Sequence, residues 1–199
     1  MSSDNPKTRK RILEAAVDLL EASQGKGVRM SDIAKRAGIS RQALYLHFAT
    51  RSALLIATTL YLDEIKGVEE RLRPSRAAQS GVERLDAFIK AWGGYIPEIY
   101  GIGKALLAMK DTDAAAATAW DERMQAMREG CEAAINALNN DNMLSAEHSP
   151  DQASDILWTM LSVRNWEQLT IDCGWPQEKY IEALKSVARR LFVVTGASG

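Results

Sequence analysis

The sequence predicts an all-α protein of about nine helices, and three observations carry that prediction. Apolar residues recur at helical spacing along most of the 199 residues. No stretch alternates apolar and polar residues as a half-buried strand would. Ser, Thr, Gly and Pro stand where helices start and stop. The composition, 46% hydrophobic and 26% charged, is that of an ordinary globular chain. Its length suits one large domain or two small ones.

The elements follow in order. Ile12, Ala15, Ala16, Leu19 and Leu20 form the stripe of an amphipathic helix, after which Gly25 and Gly27 punctuate the chain. Ser31 can cap a short helix carrying Ile33, Ala34 and Ala37, and Gly38 stands where a left-handed C-terminal cap costs least. Ser40 can cap a second short helix to about His47, and Thr50 a longer one through Leu54 and Leu55 to about Ile65 or beyond. Pro74 and the stretch 75–81 read as a boundary or loop. Leu85, Phe88, Ile89 and Trp92 give a further stripe, interrupted by Gly93-Gly94 and Pro97. A short helix around 98–109 and a long one from about 115 to 139 follow. Ser149-Pro150-Asp151-Gln152 combines a capping box with Pro at the first helical position and opens a helix to about Cys173. Gly174 stops it, and Pro176 starts a last helix to about Val194.

Net charge is only −1, but it is unevenly spread. Residues 1–60 hold ten Lys/Arg against five Asp/Glu, whereas 61–199 hold fifteen against twenty-one. A basic head on an acidic body directs any polyanion to the head. No apolar run approaches the ~18 residues of a membrane span, and the polar start MSSDNPKTRKR is unlike a signal peptide. Cys131 and Cys173 form no CxxC, so neither a disulfide framework nor a zinc knuckle is expected. These features suit a cytoplasmic protein with no membrane partner.

Residues 31–48 read as two short helices joined by a tight turn at Gly38-Ile39-Ser40, with Ile33, Ala34, Ala37, Ile39, Leu44 and Phe48 as a small core. That is the helix-turn-helix pattern, whose second helix enters the DNA major groove. Arg41, Gln42 and Tyr45 cluster at the start of that helix. Arg can bridge guanine and Gln adenine through paired hydrogen bonds on base edges. Ser31 and Ser40 lie at helix starts, where backbone N–H groups favour a phosphate. Tyr45, His47 and Arg51 add donors for the DNA backbone.

With these residues in view, the chain resembles the tetracycline-repressor (TetR) family of bacterial transcription regulators over residues 8–60. The resemblance rests on Arg11-Ile12-Leu13-Glu14-Ala15-Ala16, Met30-Ser31-Asp32-Ile33-Ala34, Ala37-Gly38-Ile39-Ser40 and Leu44-Tyr45-Leu46-His47-Phe48, followed by Arg51 and Leu54. It implies that Ser31, Ser40, Tyr45, His47 and Arg51 contact phosphates and that Arg41 and Gln42 read bases. It also implies that the arm Lys7–Arg11 approaches the minor groove or the backbone. Leu46 stands where the family often has a second aromatic, and Arg51 where Lys is more usual. The implied domains are a DNA-binding domain at 1–50 and a ligand-binding and dimerisation domain at 51–199.

Residues 80–199 hold all five Trp. Trp92, Trp120, Met124, Met127, Trp158 and Leu161 either wall an apolar ligand cavity or fill core. Asn165, on the same stripe, either orients a ligand or holds two helices together. The last helix carries two stripes, Tyr180, Leu184, Val187 and Leu191, and Ile181, Ala188 and Phe192. Their combined width implies a second burial surface, either on the same chain or across a homodimer's four-helix bundle. The resemblance favours the bundle.

Catalysis has little to stand on, because no Ser/His/Asp set, phosphate-cradling Gly loop or paired-His helix occurs. No cofactor or metal is expected, and Asp111 and Asp113 read as a solvated turn. The expected function is a repressor on double-stranded operator DNA, released by a small apolar or aromatic effector and coupled through the helix from Thr50 to about Glu70. The alternative is a DNA-binding regulator whose body serves only dimerisation or protein contacts.

Overall fold

A computed structural model describes residues 5–23 and 27–194, so the expectation at Gly25 lies outside the described residues. Ten α-helices run through these residues, with no strand among them beyond an isolated antiparallel bridge, Leu144 to Val193. The helices form two compact units, 1–66 with 99–124 and 67–98 with 125–199, here called head and body. Neither follows the expected division at residue 50.

The head holds α1 (Pro6–Ser23), α2 (Met30–Arg36), α3 (Arg41–His47) and α4 (Arg51–Ile65). The expected stripe on α1 closes its core. Ile12, Ala16 and Leu20 are buried with Ile33, Leu44, Leu54 and Leu55. Ile102, Ala105, Leu106 and Met109, together with Ala116 and Ala119, join the same cluster. They come from α6 (Gly81–Met109) and α7 (Ala114–Asn140), two helices whose remaining residues belong to the body.

The helices differ from expectation in three places. The helix from Thr50 stops at Ile65 instead of continuing to about Glu70, because Gly67 takes a left-handed conformation at φ 65° before α5 (Val68–Arg76) begins. Pro74 lies inside α5 and ends nothing. The carbonyl that it leaves without a helical donor belongs to Glu70, an exposed residue. Ser80 caps α6, its hydroxyl accepting from the Glu83 amide at 3.2 Å.

The second correction is at Gly93-Gly94 and Pro97, where a break was expected and α6 instead runs straight through. Pro97 has no N–H for the Gly93 carbonyl. The side-chain amide of Gln177 donates to that carbonyl at 2.5 Å, and so replaces the missing bond. Gln177 opens α10 (Gln177–Phe192). A Cβ at Gly93 would stand 2.9 Å from Ile181 Cγ1, so glycine is what lets α10 come this close.

The third correction concerns the helix expected from 151 to about Cys173. It is divided into α8 (Pro150–Met160), α9 (Val163–Glu167) and a π-helical turn, Gln168–Asp172. Ser162 is extended and caps α9 through Asn165 N–H at 3.2 Å, which competes with helix continuation. The expected capping box at Ser149 is present, and Gly174 turns left-handed after the π-helical turn. Within the body, α6 and α10 are also joined by the Asp86–Arg189 ion pair, and α7 and α8 by Arg128–Asp155.

Candidate nucleic-acid interface and interior of the body

The order α2, turn, α3 is fixed locally. The Ala37 and Gly38 amides close the end of α2 on Ile33 and Lys35 carbonyls, Gly38 sits at φ 67°, and Ile39 N–H returns to Ala34 O at 3.0 Å. Ser40 caps α3 through Ala43 N–H at 3.0 Å, and Thr50 caps α4 through Ala53 N–H at 3.0 Å. Ser31 does not cap α2. The helix starts one residue earlier, and the Asp32 carboxylate, accepting from Arg29 N–H at 3.3 Å, closes its first turn. Ser31 is an exposed residue of that turn. Arg36 bonds Asp18 of α1 at 2.7 Å and holds α2 in place.

Leu44 and Phe48 face the core, which leaves Arg41, Gln42, Tyr45 and Leu46 as the exposed face of α3. The Arg41 guanidinium lies over the Tyr45 ring at 5.6 Å, which places the cation on that face. His47 is half-buried in the last turn. The segment Lys7–Arg11 is no extended arm: it forms the first turns of α1, with Arg9 over the Phe48 ring at 4.5 Å.

Arg51 departs most from its expected role. Its guanidinium donates to Asp113 at 2.9 Å and to the Val28 carbonyl, and only 23% of its side chain is exposed. The donors expected to meet a phosphate already serve the head itself. Asp113 in turn accepts from the Ala115 and Ala116 amides at 3.0 and 3.3 Å and so caps α7. Burial raises the Asp113 pKa, but hydrogen bonding and charge from Arg51, with the two amides, outweigh burial and leave it below the usual carboxylate value. Asp113 is therefore no solvated turn residue. Its capping role was legible just before the Ala run, its partner was not.

The expected ligand walls are divided. Trp120 and Met124 belong to the head, where half-buried Trp120 packs against the core cluster. Trp92, Met127, Trp158, Leu161 and Asn165 belong to the body. There, Trp92 donates from Nε1 to the Leu161 carbonyl at 2.8 Å, and Met127 and Leu161 are buried. The Asn165 amide donates to Thr159 O at 2.7 Å and secures the α8–α9 break. Trp158 lies under the Arg128 guanidinium at 5.7 Å, and its buried indole N–H has no hydrogen-bond partner among the described residues.

The expected dimer face also needs correction. Tyr180, fully buried, and Leu184 are core residues of the protomer, together with Ala188 and Phe192. Only Val187, 43% exposed, and half-buried Leu191 lie outward on that stripe. Sequence reasoning missed Tyr180 as an interior residue, because the buried face, Tyr180, Leu184, Ala188 and Phe192, draws on both apolar stripes of α10. Its hydroxyl has no partner among the described residues, and burial raises its pKa. No group of three or more His, Cys, Asp or Glu that could hold a metal occurs among the described residues. No single helix among them is long and apolar enough to cross a membrane.

A buried-core helix-turn-helix with a polar, cationic outer face, in an all-α chain, defines a DNA-binding regulator. Residues 12–58 match the family described as bacterial regulatory proteins, tetR family. The regulator CymR of Pseudomonas putida, described as an HTH-type transcriptional regulator, is 29% identical over 185 residues, covering 86% of this chain and 82% of CymR. The fold is shared with a putative transcriptional regulator from Saccharomonospora viridis solved in complex with choline, with TM-score 0.75 and 15% identity over 96% of this chain and 100% of that one. NalD, the secondary repressor of a multidrug efflux pump in Pseudomonas aeruginosa, superposes with TM-score 0.69 and 20% identity over 96% of this chain and 98% of that one. Residues 12–58 thus carry the DNA-binding domain of the tetR family of bacterial regulatory proteins, and over most of its length the chain is similar to an HTH-type transcriptional regulator.

Proposed function

We propose that the protein is a homodimeric repressor that grips a pseudo-palindromic operator through α3 and is released by a small effector bound in the body. It acts where its operator lies, in the cytoplasm. The observation that carries the DNA half of this reading is the exposed face of α3, with Arg41 and Gln42 as base readers and Tyr45 as a phosphate contact. Exposed Ser31 and Ser40, with His47, are the further backbone contacts of this reading, whereas Arg51 keeps α4 and α7 together. A dimer would present two such helices about 34 Å apart or a multiple of it. Val187, Leu191 and exposed Ile171 of the π-helical turn are the apolar residues offered to a second copy.

The effector half is supported by two buried donors of the body without partners among the described residues, Trp158 N–H and Tyr180 O–H. Buried polar groups are ordinarily satisfied. An apolar or aromatic molecule carrying a hydrogen-bond acceptor would satisfy either of them. Its influence on the head would travel along α6 and α7, the helices continuous through both units, because α4 ends before Gly67. Such an effector must prefer one conformation, since equal binding to both shifts nothing.

Selection of bound fragments from random DNA with the purified protein, repeated at several salt concentrations, tests the reading. Enrichment of an inverted repeat is the expected result. Weak, salt-sensitive binding without enrichment would overturn it. The enriched fragment, labelled, then reports release by candidate effectors.

A further inference from the structure

The least expected feature of the recognition helix is Leu46. It is 67% exposed, the most exposed large apolar side chain among the described residues, on a short helix whose other outward residues are Arg41, Gln42 and Tyr45. Its backbone is well held, since Phe48 N–H closes the helix on Leu44 O at 2.9 Å and Ser40 caps the other end. The exposure therefore belongs to an ordered position in a fixed helix. An isolated exposed leucine needs no explanation elsewhere on a surface. Here it stands on the face that enters the major groove.

Two ridges divide that face. Arg41 and Tyr45, four residues apart, are joined by the cation–π contact at 5.6 Å. Gln42 and Leu46, also four apart, form the neighbouring ridge. Along a helix axis four residues span about 6 Å, under two base-pair steps. The major groove offers one apolar group to such a side chain, the C5-methyl of thymine. Gln42 in front of it has the paired donor and acceptor that suit adenine.

We propose that Leu46 is a specificity-determining residue that reads a thymine methyl group, beside a position read by Gln42, in each half-site of the operator. The inference rests on the operator-binding reading above. It takes a departure from the resembling family, a leucine where a second aromatic is frequent, as a difference in what is read: the side chain has no donor for a phosphate and can contribute only apolar contact.

The test uses the full-length protein and the fragment enriched from random DNA. Each thymine of the half-site is replaced in turn by deoxyuridine, which removes only the methyl group. Affinity is measured by fluorescence anisotropy for the wild type and for Leu46→Ala, whose circular dichroism and melting temperature show that it folds. The expected result is one position at which uracil weakens the wild type about fourfold per half-site, the effect of one buried methyl group. At that position Leu46→Ala binds thymine and uracil equally. Uracil effects of the same size in both proteins, or no sensitive position in the wild type, would overturn the assignment while leaving operator binding intact. Failure to enrich any fragment would instead overturn operator binding, and the assignment with it.

Discussion

Arg51 at the start of α4 is bonded to Asp113 at the start of α7, Nε and Nη2 each lying 2.9 Å from the same carboxylate oxygen. The same guanidinium reaches the Val28 carbonyl ahead of α2. One side chain thus fastens three segments of the head. A second pair, Arg123 with Asp63, joins α7 to α4 farther along.

This arrangement separates a structural arginine from a DNA-contacting one. Arg51→Ala is expected to lower stability by about 1–3 kcal/mol, since it strands a half-buried carboxylate. The dependence of log affinity on log salt should stay unchanged, because no phosphate contact is lost. Urea unfolding and a salt titration check both, and a slope reduced by about one unit would return Arg51 to the DNA backbone.

Arg41→Ala should behave in the opposite way. It leaves the core untouched and removes the proposed base reader, so a loss of about 1–3 kcal/mol on the selected operator is expected, with a much smaller loss on random DNA. Equal losses on both would make Arg41 a backbone contact.

The Asp113 carboxyl gives the head a pH dependence with a definite sign. Its folded pKa lies below the unfolded value, so its contribution to stability is present above about pH 4 and fades as pH falls through the folded pKa. Asp113→Asn keeps an N-cap acceptor but removes the charge. Its stability deficit should therefore shrink on acidification below about pH 4, as measured by urea unfolding across pH.

Gln177 is expected to matter because of Pro97. Gln177→Ala removes the side-chain donor to the Gly93 carbonyl and the Oε1 acceptor that lies 2.9 Å from the Trp166 indole nitrogen. The expected cost is about 1–3 kcal/mol. Pro97→Ala restores a backbone N–H for that carbonyl, so the cost of Gln177→Ala should be smaller in the Pro97→Ala background. A double-mutant cycle of unfolding energies measures the difference.

Tyr180→Phe distinguishes core from ligand site. The hydroxyl has no partner among the described residues, so its removal should leave the melting temperature unchanged or raised. Release of the labelled operator by an effector should weaken. A lowered melting temperature with a normal effector response would return Tyr180 to ordinary packing.

The sequence by itself determined the elements whose causes are local. The Ser40, Thr50 and Ser149 caps, the left-handed turns at Gly38 and Gly174 and the stripe on α1 each depend on residues within a turn or two of one another. The helix-turn-helix, and with it the resemblance to a family, was legible for the same reason: its core and its turn are contained in residues 31–48. Only the tertiary structure decided where distant groups met. A Pro in mid-helix reads as a break until Gln177, eighty residues on, supplies the missing donor. Arg51 reads as a phosphate contact until Asp113 takes its donors. Tyr180 and Val187 share one apolar stripe of α10 in sequence, and packing alone buries Tyr180 while leaving Val187 in solvent. Spacing along a chain reports which side chains share a face, and the energy of a buried hydrogen bond or ion pair depends on partners that spacing does not contain.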